Sequence, residues 1–501
     1  MERQPVIIVM GHIDHGKSTL LDYIRKSNLV ASEAGSITQH VRACEAVHQG
    51  KKLTLIDTPG HEAFSVMRDK GAGIVDLAIL VVSAEDGVKP QTLEAKAVIE
   101  KHHLPYVVAI NKIDQPAANP ERVKKDLSEN GIFLEGLGGE VPWVAVSAKT
   151  GEGVPELLDL ILLLSEVSTH ADAEEKEKKT EGEESRGFVL ESKLDRKIGI
   201  IGTVVVRNGH LKQGDFLVYG EHCFKIRKLE NFLGEKTVQQ EAGGPGIVLG
   251  WPTLPAIGTS WLTFSNKKQA KAAATPRLEG SVKSRPPETD QSNQGGKEAR
   301  IIITVKADTV GTLEAVKKEV DKIIKNSEVN AKVILIDGGV GTITENDIRV
   351  ASAGANGILA GFNVKSDRAA KDLAEKYNLS LKSFEVIYDL NEWLVEELKR
   401  LVPKVESEVV TGAAKVIRLF NKQKNRQVIG CSVLDGELTR GKRVKISRRE
   451  EVLGEGKLIE LKKLKSHVDR VGKGEQCGVS VESRWTISLG DKIEVVDKVM
   501  K

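Results

Sequence analysis

The sequence predicts a multidomain chain of α/β and β parts: a P-loop domain on a parallel sheet, a β-barrel, a second α/β domain, a connecting helix and a C-terminal β-barrel. Three observations carry this. Between residues 1 and 165 five apolar runs, PVIIVM (5–10), LTLID (53–57), LAILVVS (77–83), YVVAIN (106–111) and WVAVS (143–147), alternate with amphipathic stretches. Strands covered by helices on both faces read this way. GTVVVRNGHLKQGD (202–215) and GCSVLDGELTRGKR (430–443) share Gly-x-x-Val followed by Gly-x-Leu-x-x-Gly, a pattern of Val-rich strands and turn glycines that suits small antiparallel barrels. Finally, 501 residues are too many for one core.

Two polar stretches punctuate the chain. HADAEEKEKKTEGEESR (170–186) is nearly all charged or small, and residues 266–298 are rich in Lys, Ala, Ser, Pro and Gln. Neither can bury a core, and the second reads as a flexible linker. They divide the chain into 1–165, 187–265, 299–385 and 408–501, with a helix connecting the last two over 386–407. Residues 299–364 again read β/α, from IIITVKA through TLEAVKKEVDKIIK to KVILIDGG and NGILAGFNV.

Composition excludes several classes. No apolar run reaches the ~18 residues of a membrane span, and MERQPVIIVM lacks a basic, cleavable leader. Cys44, Cys223, Cys431 and Cys477 form no C-x-x-C pair, which argues against structural zinc and a disulfide framework and for a reducing cytoplasm. Residues 1–165 carry 17 Lys/Arg against 22 Asp/Glu, whereas 408–501 carry 21 against 13. A basic end beside an acidic one suggests that the C-terminal module meets a polyanion, or only a solubilising surface.

The chemistry concentrates in the first block. GHIDHGKS (Gly11, His12, Ile13, Asp14, His15, Gly16, Lys17, Ser18) fits G-x-x-x-x-G-K-[ST] between a strand and the helix STLLDYIRKS. Loop N–H groups and the helix N-terminus suit phosphate oxygens, Lys17 the β/γ-phosphates, and the Ser18 hydroxyl a Mg²⁺ ion. DTPGH (Asp57, Thr58, Pro59, Gly60, His61) follows LTLID; Asp57 sits where a carboxylate holds Mg²⁺ and Gly60 where an N–H meets a γ-phosphate. NKID (Asn111, Lys112, Ile113, Asp114) offers a carboxylate that accepts from guanine N1–H and N2–H₂, with Lys112 over the base and Asn111 bracing the loops. SAK (Ser147, Ala148, Lys149) offers the Ala148 N–H to guanine O6. Together they select GTP over ATP. In GSIT (35–38), Thr38 is placed to complete the Mg²⁺ shell when a γ-phosphate is present.

His61 has two readings. It can orient the water that attacks the γ-phosphate, with Ile13 and Ile37 as an apolar gate, or it can cap the helix that follows, EAFSVMRDKGAG.

GHIDHGKS with DTPGH is the pattern of translational GTPases. GSITQHV, DTPGHEAFSVMRDKGA, VVSAEDGVKPQTLEA, NKIDQPAANPERVKKDL, DTVGTLEAV, GGVGTITENDI, GFNV, VIYDL and GEQCG narrow the likeness. The chain resembles the bacterial translation initiation factor two family over nearly its whole length, least across 220–298 and 365–385. With the P-loop at residue 11, it corresponds to a short form without the long N-terminal extension typical of that family. The resemblance implies the domain order given above and GTP with Mg²⁺ as ligands. It implies binding to the small ribosomal subunit with initiator tRNA and other initiation factors, joining of the large subunit, and hydrolysis triggered there. It implies a monomer with no membrane partner.

In the family a patch of the type S-L-K-R-Y-K with E-C-G reads the formylated tRNA end. Here Cys431, Lys462, Lys463, Gln476, Cys477 and Gly478 occupy those places, but Lys463, Leu464 and Gln476 stand where Arg, Tyr and Glu are expected. Lys463 loses a planar fork, Leu464 a stacking ring and Gln476 a carboxylate, unless neighbouring residues such as Glu475 compensate by a shift of one position. The alternative is therefore a subunit-joining GTPase with weak or no formyl-methionine selectivity. Further readings are a GTP-dependent RNA-binding scaffold, which His61 and Thr38 oppose, and thiol chemistry at Cys431 or Cys477, against which stands the plainer reading of both as core or pocket residues of the barrel.

Overall fold

The computed structural model describes residues 3–25, 39–172, 183–274, 300–327, 332–353, 356–401, 406–423, 425–449, 451–463 and 466–500. The chain divides into two compact units, Met1–Val402 and Pro403–Lys501.

The first unit opens with β1 (Val6–Gly11), α1 (Lys17–Arg25), β2 (Arg42–His48), β3 (Lys51–Asp57), α2 (Ser65–Ala72), β4 (Leu77–Ser83), α3 (Pro90–Lys101), β5 (Tyr106–Asn111), α4 (Pro120–Glu129), β6 (Trp143–Ala145) and α5 (Val154–Asp172). The sheet order is β2-β3-β1-β4-β5-β6, parallel except for β2 on the edge. Side chains of β1 alternate between two cores: Val6, Ile8 and Met10 face one, Ile7 and Val9 the other. A strand buried on both faces therefore shows no polar alternation, which is why the runs are continuous. The site follows from this topology, because β1, β3 and β5 end at the same edge, where their C-terminal loops converge.

The antiparallel barrel region comprises β7 (Glu183–Asp195), β8 (Gly199–Gly209), β9 (Leu211–Lys212), β10 (Phe216–Tyr219), β11 (His222–Lys225), β12 (Lys228–Asn231), β13 (Gln239–Gln240), β14 (Pro245–Trp251) and β15 (Ser260–Phe264). Seven strands run in the order β11-β10-β15-β7-β8-β14-β12 around Val189, Val204, Val206, Trp251 and Trp261, and β9 pairs with β13. Helix α6 (Lys267–Ala273), capped by Asn266, occupies the start of the stretch expected to be a linker; Ala270, fully buried, anchors it against Val218 and Phe264. The rest of that stretch lies outside the described residues.

The α/β region comprises β16 (Arg300–Ala307), α7 (Val310–Asn326), β17 (Lys332–Val340), α8 (Glu345–Ala351), β18 (Asn356–Phe362), α9 (Arg368–Lys376), β19 (Ser380–Phe384) and α10 (Ile387–Leu401). Its parallel sheet runs β17-β16-β18-β19. Helix α10 covers Ile387–Leu401 of the helix expected over 386–407; residues 402–405 lie outside the described residues, Glu406 opens a strand, and Ile387, Leu390, Leu394 and Leu398 bury the helix in the same core as the sheet. It is part of the α/β layer as well as a connector. Helix α7 packs on α2: a Cβ added at Gly311 would lie 2.4 Å from Met67 Cε and 2.8 Å from Ile257 Cδ1. A larger residue there would make the ends of these two flexible side chains shift.

The second unit comprises β20 (Glu406–Gln423), β21 (Arg426–Thr439), β22 (Arg443–Arg448), β23 (Glu451–Lys463), β24 (Ser466–His467), β25 (Arg470–Gly472), β26 (Gln476–Ser483) and β27 (Lys492–Met500). The path β20-β27-β22-β23-β26-β21 closes because β21 also pairs with β20, which makes a six-stranded antiparallel barrel. Closure leaves this ring no free edge. Among the described residues no helix is long and apolar enough to cross a membrane.

Candidate nucleotide site

The P-loop backbone takes the conformation its residues allow. Asp14 (φ 64°), Gly11 (φ 143°) and Gly16 (φ 86°) all lie at positive φ. At Gly11 a Cβ would also sit 2.3 Å from the Val81 carbonyl oxygen, so both strain and space demand glycine there. Lys17 Nζ donates to the His12 carbonyl at 2.6 Å, and burial lowers its pKa to about 8. His15 is fully buried, and burial pushes it down to about 3, so its ring is neutral. The Ile13 N–H donates to Gln91 Oε1 at 2.9 Å. Gln91 lies in the quoted VVSAEDGVKPQTLEA stretch but had no role in the sequence reading.

DTPGH wraps onto this loop. Thr58 Oγ1 donates to the Val9 carbonyl at 2.9 Å. A Cβ at Gly60 would lie 2.6 Å from Lys17 Nζ and 3.2 Å from Ile13 N, so the two segments touch. Ser18 Oγ donates to Asp57 Oδ2 at 3.1 Å. Two oxygens on one edge of an octahedral Mg²⁺ shell are about 3 Å apart, so this pair fits a hard divalent cation. Among the described residues no cluster of three or more His, Cys, Asp and Glu side chains suits a metal; Mg²⁺ often uses one or two carboxylates with waters and phosphates. Thr38 and Ile37 lie outside the described residues.

His61 does cap: its Nδ1 accepts the Ala63 N–H at 2.9 Å at the start of a 3₁₀ turn, Glu62–Phe64. Nδ1 is therefore unprotonated, and burial holds the ring's pKa below its ordinary value. The ring is 8% exposed and meets Tyr388 at 4.6 Å between centroids. Arg68, 2% exposed, donates to the carbonyls of Pro59 at 2.9 Å and His61 at 2.7 Å, and pairs with Glu94 at 2.9 Å. A single Arg in a helix gave no sign of this in the sequence.

The base-reading loops are joined by one side chain. Asn111 Nδ2 donates to the His15 carbonyl at 2.8 Å, and its Oδ1 accepts the Ala148 N–H at 2.9 Å. Asp114 is exposed, with Oδ1 held by Ser147 Oγ at 2.8 Å. Lys112 sits at φ 68°, Ile113 N–H reaches toward the Val146 carbonyl, and Lys149 is exposed beyond them. The Ala148 N–H, expected at guanine O6, serves Asn111 here, because that carbonyl is the acceptor the loop itself supplies.

In the C-terminal unit Cys431 and Cys477 face each other across β21 and β26 with their side chains in the barrel core. Burial pushes their thiols up to about 12 and about 11. They back the surface from beneath, and such thiols are inert. Lys462 pairs in register with Gly478, and Gln476 is exposed beside them. Lys463 Nζ pairs with Glu475 at 2.5 Å, and that hydrogen bond holds the Glu475 carboxyl below its ordinary range. Leu464 lies outside the described residues.

A parallel sheet carrying a phosphate loop, a Ser–Asp oxygen pair and an Asn-braced base loop defines a P-loop domain of the guanine-nucleotide class. Family models agree: residues 2–166 match the elongation factor Tu GTP binding domain, 184–263 elongation factor G domain 2, and 278–395 translation-initiation factor 2. Translation initiation factor IF-2 of a Nitratiruptor species is 40% identical over 99% of this chain, and that of Aquifex aeolicus 38% over 98%. The chain spans 59% and 61% of those two relatives' own lengths. GDP-bound aIF5B from Aeropyrum pernix matches at 26% identity with a TM-score of 0.44, over 99% of this chain and 92% of that one. Over nearly its whole length the chain is similar to translation initiation factor IF-2, and its first third matches the elongation factor Tu type of GTP binding domain.

Proposed function

We propose that the chain binds GTP and hydrolyses it on the ribosome, as a cytoplasmic, monomeric initiation factor. In this reading it brings initiator tRNA to the small subunit beside other initiation factors and promotes joining of the large subunit. The observation that carries the reading is Asn111, which ties the P-loop to the Ala148 loop beside a Ser147-held Asp114. Phosphate loop, base loop and the His61 turn then serve one nucleotide. The Asp114 carboxylate accepts from guanine N1–H and N2–H₂, and the Ala148 N–H is shared with O6. Gly11 to Ser18 cradle the phosphates, with Lys17 at the β/γ-phosphates. Ser18 and Asp57, with Thr38, hold Mg²⁺, which neutralises phosphate charge when bound. His61 leaves its cap and orients the attacking water through Nε2.

A second reading has its own support: Lys463 is engaged by Glu475, so one of the two positive charges, Lys462 and Lys463, beside Gln476 and Gly478 is neutralised. It is subunit joining with weak or no formyl selectivity. The test is GTP turnover with and without both ribosomal subunits, and binding of charged initiator tRNA with and without its formyl group. Ribosome stimulation with preference for the formylated tRNA supports the first reading, and stimulation with equal binding supports the second. Turnover indifferent to ribosomes contradicts both.

A further inference from the structure

Helix α10 uses two faces. Ile387, Leu390, Leu394 and Leu398 are buried in the α/β core. Tyr388 and Asn391, one turn apart and so on a shared face, look elsewhere: Asn391 Nδ2 donates to Glu319 of α7 at 3.1 Å, and the Tyr388 ring meets His61 at 4.6 Å and 61° between planes. Helix α7 braces the same turn, with Lys322 paired to Glu62 at 3.0 Å and Lys318 donating to Ser65. Burial and the carboxylates of Asp14 and Glu319 push the Tyr388 phenol up, so it also lies within electrostatic reach of the P-loop. Tyr388 is 47% exposed and His61 only 8%, and the imidazole packs between the Tyr388 and Phe64 rings.

We propose that Tyr388 is a positioning residue for hydrolysis: its ring holds His61 against α7 and α10, and hydrolysis accelerates when α10 withdraws it. The proposal rests on the reading of His61 as the water-orienting residue. His61 Nδ1 is committed to the Ala63 N–H, so the ring must turn before its other nitrogen serves the γ-phosphate side. An edge-to-face contact to Tyr388 biases that two-state choice toward the held orientation. Because α10 packs in the α/β core, a partner that shifts this layer changes how firmly His61 is held.

The experiment uses the full chain in single-turnover GTP hydrolysis without ribosomes. Tyr388→Ala is expected to raise the unstimulated rate roughly 3- to 10-fold with KM for GTP unchanged. Tyr388→Leu, which keeps an apolar side chain and guards against misfolding, raises it likewise. Tyr388→Phe restores the parent rate, because the ring and not the hydroxyl makes the contact. In a His61→Ala background, Tyr388→Ala changes nothing. Unchanged rates for both Ala and Leu variants, or equal acceleration with and without His61, overturn the proposal. The reading of His61 fails separately, if His61→Ala alone leaves ribosome-stimulated turnover intact.

Discussion

The Arg68 guanidinium donates to the His61 carbonyl at 2.7 Å from a position only 2% exposed. With its bond to the Pro59 carbonyl it clamps the turn that presents the proposed water-orienting residue. Arg68→Ala removes the donor of the buried Pro59 carbonyl and leaves the His61 carbonyl only the Phe64 N–H at 3.0 Å, and a buried polar group left unpaired costs about 1–3 kcal/mol. We expect chemical denaturation to show a loss of about 3 kcal/mol and ribosome-stimulated turnover to fall. Arg68→Lys recovers only part of both, since an ammonium lacks the planar fork that serves two carbonyls and Glu94 at once.

In the proposed reading, base selectivity rests on Asp114 and on the Ser147 hydroxyl that fixes it at 2.8 Å. Asp114→Asn keeps the size but replaces one acceptor with a donor facing guanine N–H groups. Affinity for GTP measured by calorimetry should fall about 100-fold, from one charge-assisted bond lost and the other made neutral. Ser147→Ala, which frees the carboxylate without removing it, should cost about 5-fold.

A half-buried acid with one buried carboxylate oxygen predicts a pH dependence. Glu191 of β7 is pushed up to about 7 by burial, with His40, Asp308, Thr309 and Lys193 around it. Burial opposes the charge on His40, but the hydrogen bond and charge of Asp308, 2.7 Å away, outweigh it and raise its pKa. Both folded-state values lie above the unfolded ones, so both contributions are largest at low pH. The Glu191 contribution is lost as pH rises from 4.5 through about 7, on the order of 3 kcal/mol, and that of His40 as pH passes its raised value. The Glu191→Gln variant should therefore show a flatter decline of unfolding free energy between pH 5 and 8 than the parent chain. Equal slopes would contradict the assignment.

What the sequence disclosed and withheld follows from range. The five parallel strands were legible because burial on both faces writes continuous apolar runs, and GHIDHGKS because positive φ at Gly11 and Gly16 restricts residue choice. The edge strand β2, RACEAVH, was not: one partner and one buried face leave only Cys44 and Ala46 as a weak alternation. Arg68 and Tyr388 owe their roles to partners supplied by other segments, His61 and Tyr388 lying on different layers, and no local period records that. The two barrel cysteines lie in the core, as small apolar residues of a barrel usually do, and register along β21 and β26 turns them there.

The most direct test of the account is turnover by the His61→Ala variant with both ribosomal subunits present, alongside its GTP affinity. The account predicts that stimulated hydrolysis is abolished while affinity stays nearly that of the parent chain, because the ring binds no part of the ground-state nucleotide. Stimulated hydrolysis that persists, or an affinity loss large enough to explain its absence, would contradict it.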